Sequence, residues 1–318
     1  MRKQYVFGPV ASRRLGRSLG VDMVPAKTCT IDCIYCEAGK TDKLTCQRKE
    51  YVPLAAVQAE LQEVLASSPE LDYITFSGAG EPTLNSQWGE LACWLKQNYP
   101  QYRICLLTNG TLLNDPQVRK NLQYVDLAVP NFDAGNAEEL AIINRPADGI
   151  TVESIAEGIR QAAAEYPGKL VLELFIVPGV NDSDKSIAAF AEYIKSFAGL
   201  RMVQLNTLDR PGVVDWIKPA DAATIKRFIE GLQDIVPVES VGRYRCRSSA
   251  WQSDIKPDDM DNILLDMVKH RAVSAADIAA ALKISLEEAG KRAEQLVSSG
   301  LLAAEKNGKD IFYSPGVN

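Results

Sequence analysis

Three cysteines fall within eight residues, Cys29-Thr30-Ile31-Asp32-Cys33-Ile34-Tyr35-Cys36, in the spacing C-x3-C-x2-C. Three thiolates can hold three irons of a [4Fe–4S] cluster, which normally takes four cysteines. No fourth cysteine stands at ligand-like spacing; Cys46 comes ten residues later. Such a cluster keeps one iron open to a small molecule. Two other readings compete. A structural zinc site wants four closed ligands, and the only histidine, His270, lies far off in sequence. A C-x2-C redox pair would leave Cys29 idle.

The 318 residues suit one large domain and one small one. Hydrophobic content of 46% and charged content of 24% are ordinary for a globular chain. No apolar run reaches the length of a membrane span, and the basic, polar start has no signal-peptide core. The expectation is a cytoplasmic protein with no membrane contact. Its seven cysteines are then ligands or buried thiols rather than disulfides. The net charge of −6 is uneven, because residues 1–50 carry ten Lys/Arg against five Asp/Glu. Arg13, Arg14 and Arg17 precede the cysteine loop, and Arg243, Arg245 and Arg247 form a second basic group. These are either a solvated surface or a positive rim for a phosphorylated or otherwise anionic substrate.

Hydrophobic periodicity predicts six strands, at about 18–24, 72–76, 102–107, 124–129, 170–177 and 201–205, alternating with helices. The helices fall near 53–66, 85–98, 151–166, 183–198 and 219–235. That alternation argues for an α/β fold with a parallel sheet and right-handed crossovers: a partial (βα)6 TIM-like barrel over residues 1–235. Polar loops follow the strands, where active sites of such folds collect. They are Ser77-Gly78-Ala79-Gly80-Glu81-Pro82, Thr108-Asn109-Gly110, Pro130-Asn131-Phe132-Asp133, Pro178-Gly179-Val180-Asn181 and Asn206-Thr207-Leu208-Asp209-Arg210-Pro211. Taken alone, the first is also readable as a Gly-rich turn, and Asn131–Asp133 as an Asx turn.

With the cysteine triplet, these loops resemble the radical SAM superfamily. The resemblance spans about residues 7–235. It implies that S-adenosylmethionine binds the open iron through its amino and carboxylate groups, and that Cys29, Cys33 and Cys36 are the protein's cluster ligands. Tyr35 stands where the family usually has an aromatic residue. Gly80 and Glu81 match the GGE motif that orients the amino group, with Ala79 in place of its first glycine. Thr108 and Asn109 match a frequent TNG motif. Asn131 and Asp133 stand where relatives often have Ser-Leu-Asp, near the ribose and carboxylate. Arg145 is a candidate partner of that carboxylate or of an anionic substrate. Val177 and Asn181 are expected to border the adenine.

The stretches FGPVASRRLGRSLGVD, NRP and LNTLDRP resemble the wyosine-synthase-like branch. The wyosine enzymes rebuild a guanine in tRNA and use a second, upstream cluster, for which no cysteine precedes Cys29 here. The chemistry the resemblance implies is one-electron cleavage of S-adenosylmethionine and hydrogen abstraction by the 5′-deoxyadenosyl radical. An electron donor such as flavodoxin or ferredoxin is implied as partner. The substrate stays open between an RNA base and a small molecule.

Residues 236–257 read as a connector. Cys246 within it is a buried thiol, a reactive site residue or a surface cysteine. Residues 258–318 read as three helices and a hairpin, which resemble a winged helix. Ser274 and Ser285 are the expected helix caps, and Asn307-Gly308 the hairpin turn. This unit carries eight Lys/Arg against ten Asp/Glu over 256–318. Specific DNA binding needs a basic face, so protein contact or substrate docking is the expectation. Two further roles stay open: activase of a partner protein, and an iron–sulfur sensor that regulates through the winged helix.

Overall fold

The structure, a computed structural model, describes residues 5–12, 14–210, 212–241, 257–282, 284, 286–307 and 310–316. The first strands are β1 (Val6–Ser12), β2 (Gly16–Val21) and two short ones beside the cysteine loop, β3 (Thr28–Cys29) and β4 (Lys43–Leu44). The alternating part follows as α1 (Leu54–Leu65), β5 (Tyr73–Phe76), α2 (Trp88–Asn98), β6 (Ile104–Thr108), α3 (Pro116–Asn121), β7 (Leu127–Pro130), α4 (Ala137–Ile143) and α5 (Val152–Glu165). It continues as β8 (Val171–Ile176), α6 (Asp184–Ser196), β9 (Met202–Thr207), α7 (Ala222–Leu232) and β10 (Val238–Ser240).

Strands β2, β5, β6 and β7 pair in parallel, and so do β8, β9 and β10. Parallel bridges Ala128↔Leu170 and Asn131↔Glu173 join the two groups. The fold is therefore α/β with a parallel sheet. All six expected strands are present, but the row is longer at both ends. At one end β1 pairs antiparallel with β2. Residues 6–12 looked like a Gly/Pro loop, and the register indeed slips between Phe7 and Val10, around Gly8 and Pro9. At the other end β10 lies inside the expected connector. Cys246 and the three arginines of that stretch lie outside the described residues.

Successive strand residues point to opposite faces. Leu19, Val21, Ile74, Phe76, Ile104, Leu106, Leu172, Leu174 and Ile176 face the helices in the main core. Helix α2 buries the face the periodicity predicts, Trp88, Leu91, Ala92 and Leu95, and Trp88 meets Phe76 edge-on at 5.9 Å. The alternate residues Tyr73, Cys105, Leu127, Val129 and Val171 form a smaller cluster on the opposite face. That alternation turns Glu173 and Phe175 of β8 toward the site.

The C-terminal unit is α8 (Pro257–His270), β11 (Val273–Ser274), α9 (Ala275–Leu282), α10 (Leu286–Ser298), β12 (Leu302–Asn307) and β13 (Asp310–Pro315). Its sheet runs β11-β13-β12. Ser274 caps α9 as expected: its Oγ accepts from Asp277 N at 3.2 Å, and its own N donates back to Asp277 Oδ2 at 2.9 Å. The expected cap Ser285 and the Gly308 of the hairpin turn lie outside the described residues. Met260, Leu264, Met267, Ile278, Leu282 and Leu296 make a separate core, against which Val10 of β1 packs.

Candidate functional site

The cysteine loop is pinned on every side by backbone hydrogen bonds. Glu81 N donates to Thr28 O at 3.1 Å, Ile34 N to Ile143 O at 2.9 Å and Val213 N to Ile34 O at 2.8 Å. Cys29, Cys33 and Cys36 all line one cavity of about 330 Å³. Among the described residues no three Cys, His, Asp or Glu converge as a single metal ion requires. Asn109 Nδ2 points at Cys29 Sγ at 3.4 Å, and Asn144 Nδ2 at Cys33 Sγ at 3.3 Å. Hydrogen bonds to the sulfurs are a recognised feature of iron–sulfur sites. Burial, reinforced by the Glu81 charge, pushes the Cys29 thiol up to about 12, and burial raises Cys33 and Cys36 too. Such thiols become thiolates when a cation replaces the proton. Donor set, amide donors and space together fit a three-cysteine cluster.

The loop after β5 closes one wall. A Cβ on Gly80 would stand 2.3 Å from Thr28 O, closer than any real contact, so only glycine lets this loop touch the cysteine loop. Gly78, at φ +135°, leaves no room beside the Asp22 carboxylate either. Gly80→Ala should therefore push the two loops apart and cost about 1–3 kcal/mol. A thermal melt beside an iron count checks this; an unchanged melting temperature and iron content would contradict it.

Glu81 is buried, 2% exposed, and its oxygens serve the protein. Oε1 accepts from Thr83 N, Thr83 Oγ1 and Thr108 Oγ1, the last at 2.7 Å, and Oε2 accepts from Asn109 N at 2.8 Å. Burial raises its carboxyl, against these hydrogen bonds. Glu81 thus holds Thr108 and Asn109 in position while lining the cavity with them.

Tyr35, Gly80, Glu81, Thr108, Asn109 and Asn131 all line the cavity with the cysteines. Four expected residues do not. Asp133 is 4% exposed and lies behind the wall, accepting from Tyr35 Oη, from Asn144 Nδ2 at 3.0 Å and from Phe175 N at 3.0 Å. It orients Tyr35, whose ring stacks on Phe175 at 3.8 Å. Asn181 is fully buried: Oδ1 accepts from Val177 N, and Nδ2 donates to Asp133 O and Phe175 O, each at 2.8 Å. It ties its own loop together, and Val177 packs beneath the cysteine loop with Ile34. Arg145, at φ 43°, faces Asp32 at 3.7 Å with its side chain 41% exposed, outside the cavity.

Sequence reasoning assigned no role to Lys27, Glu173, Phe175 or Arg271, all of which line the cavity. Strand alternation would have found Glu173 and Phe175. Asn206, Asp209 and Arg210, of the loop read after β9, line it as well. Arg14 of the basic rim does too, paired with Glu173. Arg13 of that rim and Pro211 of the loop lie outside the described residues.

The radical SAM superfamily model matches residues 23–191, and the chain belongs to that family. It is a radical SAM iron–sulfur enzyme, with a [4Fe–4S] cluster and S-adenosylmethionine as cofactors. A UPF0026 protein of Helicobacter pylori strain J99 is 31% identical over 312 residues, covering 97% of this chain and 96% of that protein. A protein of Brachyspira hyodysenteriae named GTPase Obg is 35% identical over 210 residues, 66% of this chain. The match spans 31% of that protein's own length. In fold the chain is similar to a radical SAM methyltransferase from Sphaerobacter thermophilus, with a TM-score of 0.55 at 18% identity, covering 70% of this chain and 65% of that one. No described helix is long and apolar enough to cross a membrane.

Proposed function

We propose that Cys29, Cys33 and Cys36 hold the cluster at the floor of a partial-barrel cavity, and that S-adenosylmethionine lies over it toward the ends of β5, β6, β8 and β9. When bound, the two groups supply one-electron cleavage of the sulfonium and a 5′-deoxyadenosyl radical that abstracts hydrogen from substrate. The carrying observation is the shared cavity: three thiols on one wall, with Gly80, Thr108, Asn109 and Asn131 on the next.

Each residue then has a task. Asn109 and Asn144 donate to ligand sulfurs. Glu81 fixes Thr108 and Asn109. Phe175 and Leu208, rather than Val177 and Asn181, offer the apolar surface for an adenine. Asp133 locks Tyr35 as the lid of the cysteine loop. The cavity walls hold the reacting groups together and limit side reactions there. A reducing partner such as flavodoxin or ferredoxin supplies the electron, and a cytoplasmic location suits an oxygen-sensitive cluster.

We further infer that the C-terminal unit is a winged-helix module serving substrate docking rather than DNA binding. Its order, helix, strand, two helices and a two-stranded hairpin, supports this. Both basic residues of α10 are already paired, Lys291 with Glu287 and Arg292 with Asp261, each at 2.6 Å. Little charge remains there for phosphates.

The test is anaerobic reconstitution followed by dithionite and S-adenosylmethionine. Slow release of 5′-deoxyadenosine is expected even without substrate. Glu81→Ala should lower that release by about tenfold or more through misplaced Thr108 and Asn109, with iron content near wild type. No release from intact, cluster-loaded protein would favour the sensor alternative.

A further inference from the structure

The cavity is not built by the sheet and its loops alone. Arg271, in the turn between α8 and β11, lines it from the C-terminal unit. A chain of ion pairs centred on the buried Arg210 fixes that turn. Arg210, after β9, donates Nη1 to Glu37 Oε1 at 2.9 Å and Nη2 to Asp277 Oδ1 at 2.7 Å. Its side chain is 4% exposed. Glu37 directly follows Cys36, and Asp277 anchors the first turn of α9 through Ser274. The cysteine loop, the β9 loop and the C-terminal unit are thus held in one register.

Arg271 is the member of this group whose donors are unspent. Among the described residues its one ion pair is with Glu37 Oε2 at 4.0 Å, too long for a hydrogen bond, and the Asp277 charge also acts on it. Arg14, paired with Glu173, lines the same cavity, and the Arg271 charge reaches it. Ser12 lines the cavity beside them. The Glu37 carboxylate acts on both guanidinium groups but makes no hydrogen bond to Arg271, whose donors stay open to a further anion. A planar fork of N–H donors matches the oxygens of a carboxylate or phosphate.

We propose that Arg271, brought into the cavity by the C-terminal unit, binds an oxyanion of the substrate, a carboxylate or a phosphate, together with Arg14 and Ser12. This rests on the radical SAM reading of the cavity. It adds that the C-terminal unit completes the substrate site and selects anionic substrates.

The cluster-loaded, full-length protein is titrated calorimetrically with inorganic phosphate and, separately, with succinate; the anion that binds tells phosphate from carboxylate. Arg271→Gln should weaken that binding by about tenfold or more. Arg271→Lys, which keeps charge but not the fork, should recover part of it. Arg160→Gln, on the exposed face of α5, should bind like wild type. Phenylglyoxal labelling of the unmutated protein, mapped by mass spectrometry, gives a readout independent of folding: the binding anion should protect Arg271. No binding of either anion by wild type, equal binding by Arg271→Gln, or labelling of Arg271 that the anion does not slow would overturn the proposal. Release of 5′-deoxyadenosine by the same wild-type preparation reports on the radical SAM reading, so the two fail separately.

Discussion

Cys33→Ala should strip the chain of its iron–sulfur cluster. Cys33 is 8% exposed, at the centre of the loop, and takes the Asn144 amide on its sulfur. Alanine leaves an iron facing an apolar methyl and removes one of the two acceptors of a buried amide. Two thiols remain, and two cannot retain a cluster that already lacks a fourth protein ligand. Iron and sulfide should fall from about four each per chain toward none, with Cys29→Ala and Cys36→Ala close behind. Cys46→Ala should load like wild type, because Cys46 is exposed and lines no wall of the cavity. Equal loss of iron in the Cys46 variant would make it a ligand and remove the open coordination site.

The cysteine triplet and the strand-end loops were legible because both are local. Spacing places thiols, and a polar triplet after an apolar run marks the end of a strand. Tyr35, Gly80, Glu81, Thr108, Asn109 and Asn131 converge for that reason. Asp133, Arg145, Val177 and Asn181 stand in equally suggestive loops, yet three are buried behind the wall and one faces outward. Which side of a loop residue meets the cavity depends on tertiary hydrogen bonds, such as those from Phe175 N and Asn144 to Asp133, and these leave no trace in local pattern. Strand β1 was hidden by Gly8 and Pro9, both poor strand residues. Helices α3 and α4, of six and seven residues, are too short for a periodic signal. Arg271 was invisible as a site residue because it stands 235 positions after Cys36 and reaches the cavity only through domain packing.

The C-terminal unit has a core of its own, and its contacts also tie it to the rest of the chain. Arg210→Ala would remove from Asp277, 10% exposed, its hydrogen-bonded cation and leave it only the Arg271 charge, while Glu37, 35% exposed, turns to solvent and Arg271. Breaking a buried pair in this way costs about 3–5 kcal/mol, a fall in melting temperature on the order of 10 °C for a chain of this size. Asp277→Ala should destabilise for the same reason, and the double variant should cost less than the two singles together. Truncation before Pro257 should also expose Val10 and lower the stability of the remaining chain; unchanged melting of that truncation would contradict a shared interface.

The acid dependence has a definite sign. Burial works against the Asp277 charge, but Arg210 and Arg271 outweigh it and hold its carboxyl below the usual range. Its contribution is therefore complete above the unfolded carboxyl value of about 4 and is lost as the pH falls below that. The wild-type advantage over Asp277→Ala in a melting series should be flat from neutral pH to about 5 and shrink toward about 3.

Iron-57 Mössbauer spectroscopy of the reconstituted protein, before and after addition of S-adenosylmethionine, tests the three-cysteine site most directly. On the proposed three-cysteine site one iron of about four is left for the amino and carboxylate groups, so one iron should change its parameters on addition. The other three, held by Cys29, Cys33 and Cys36, should stay as they were. Four irons that all keep their parameters would mean that a fourth protein ligand closes the cluster, contradicting the open-iron site.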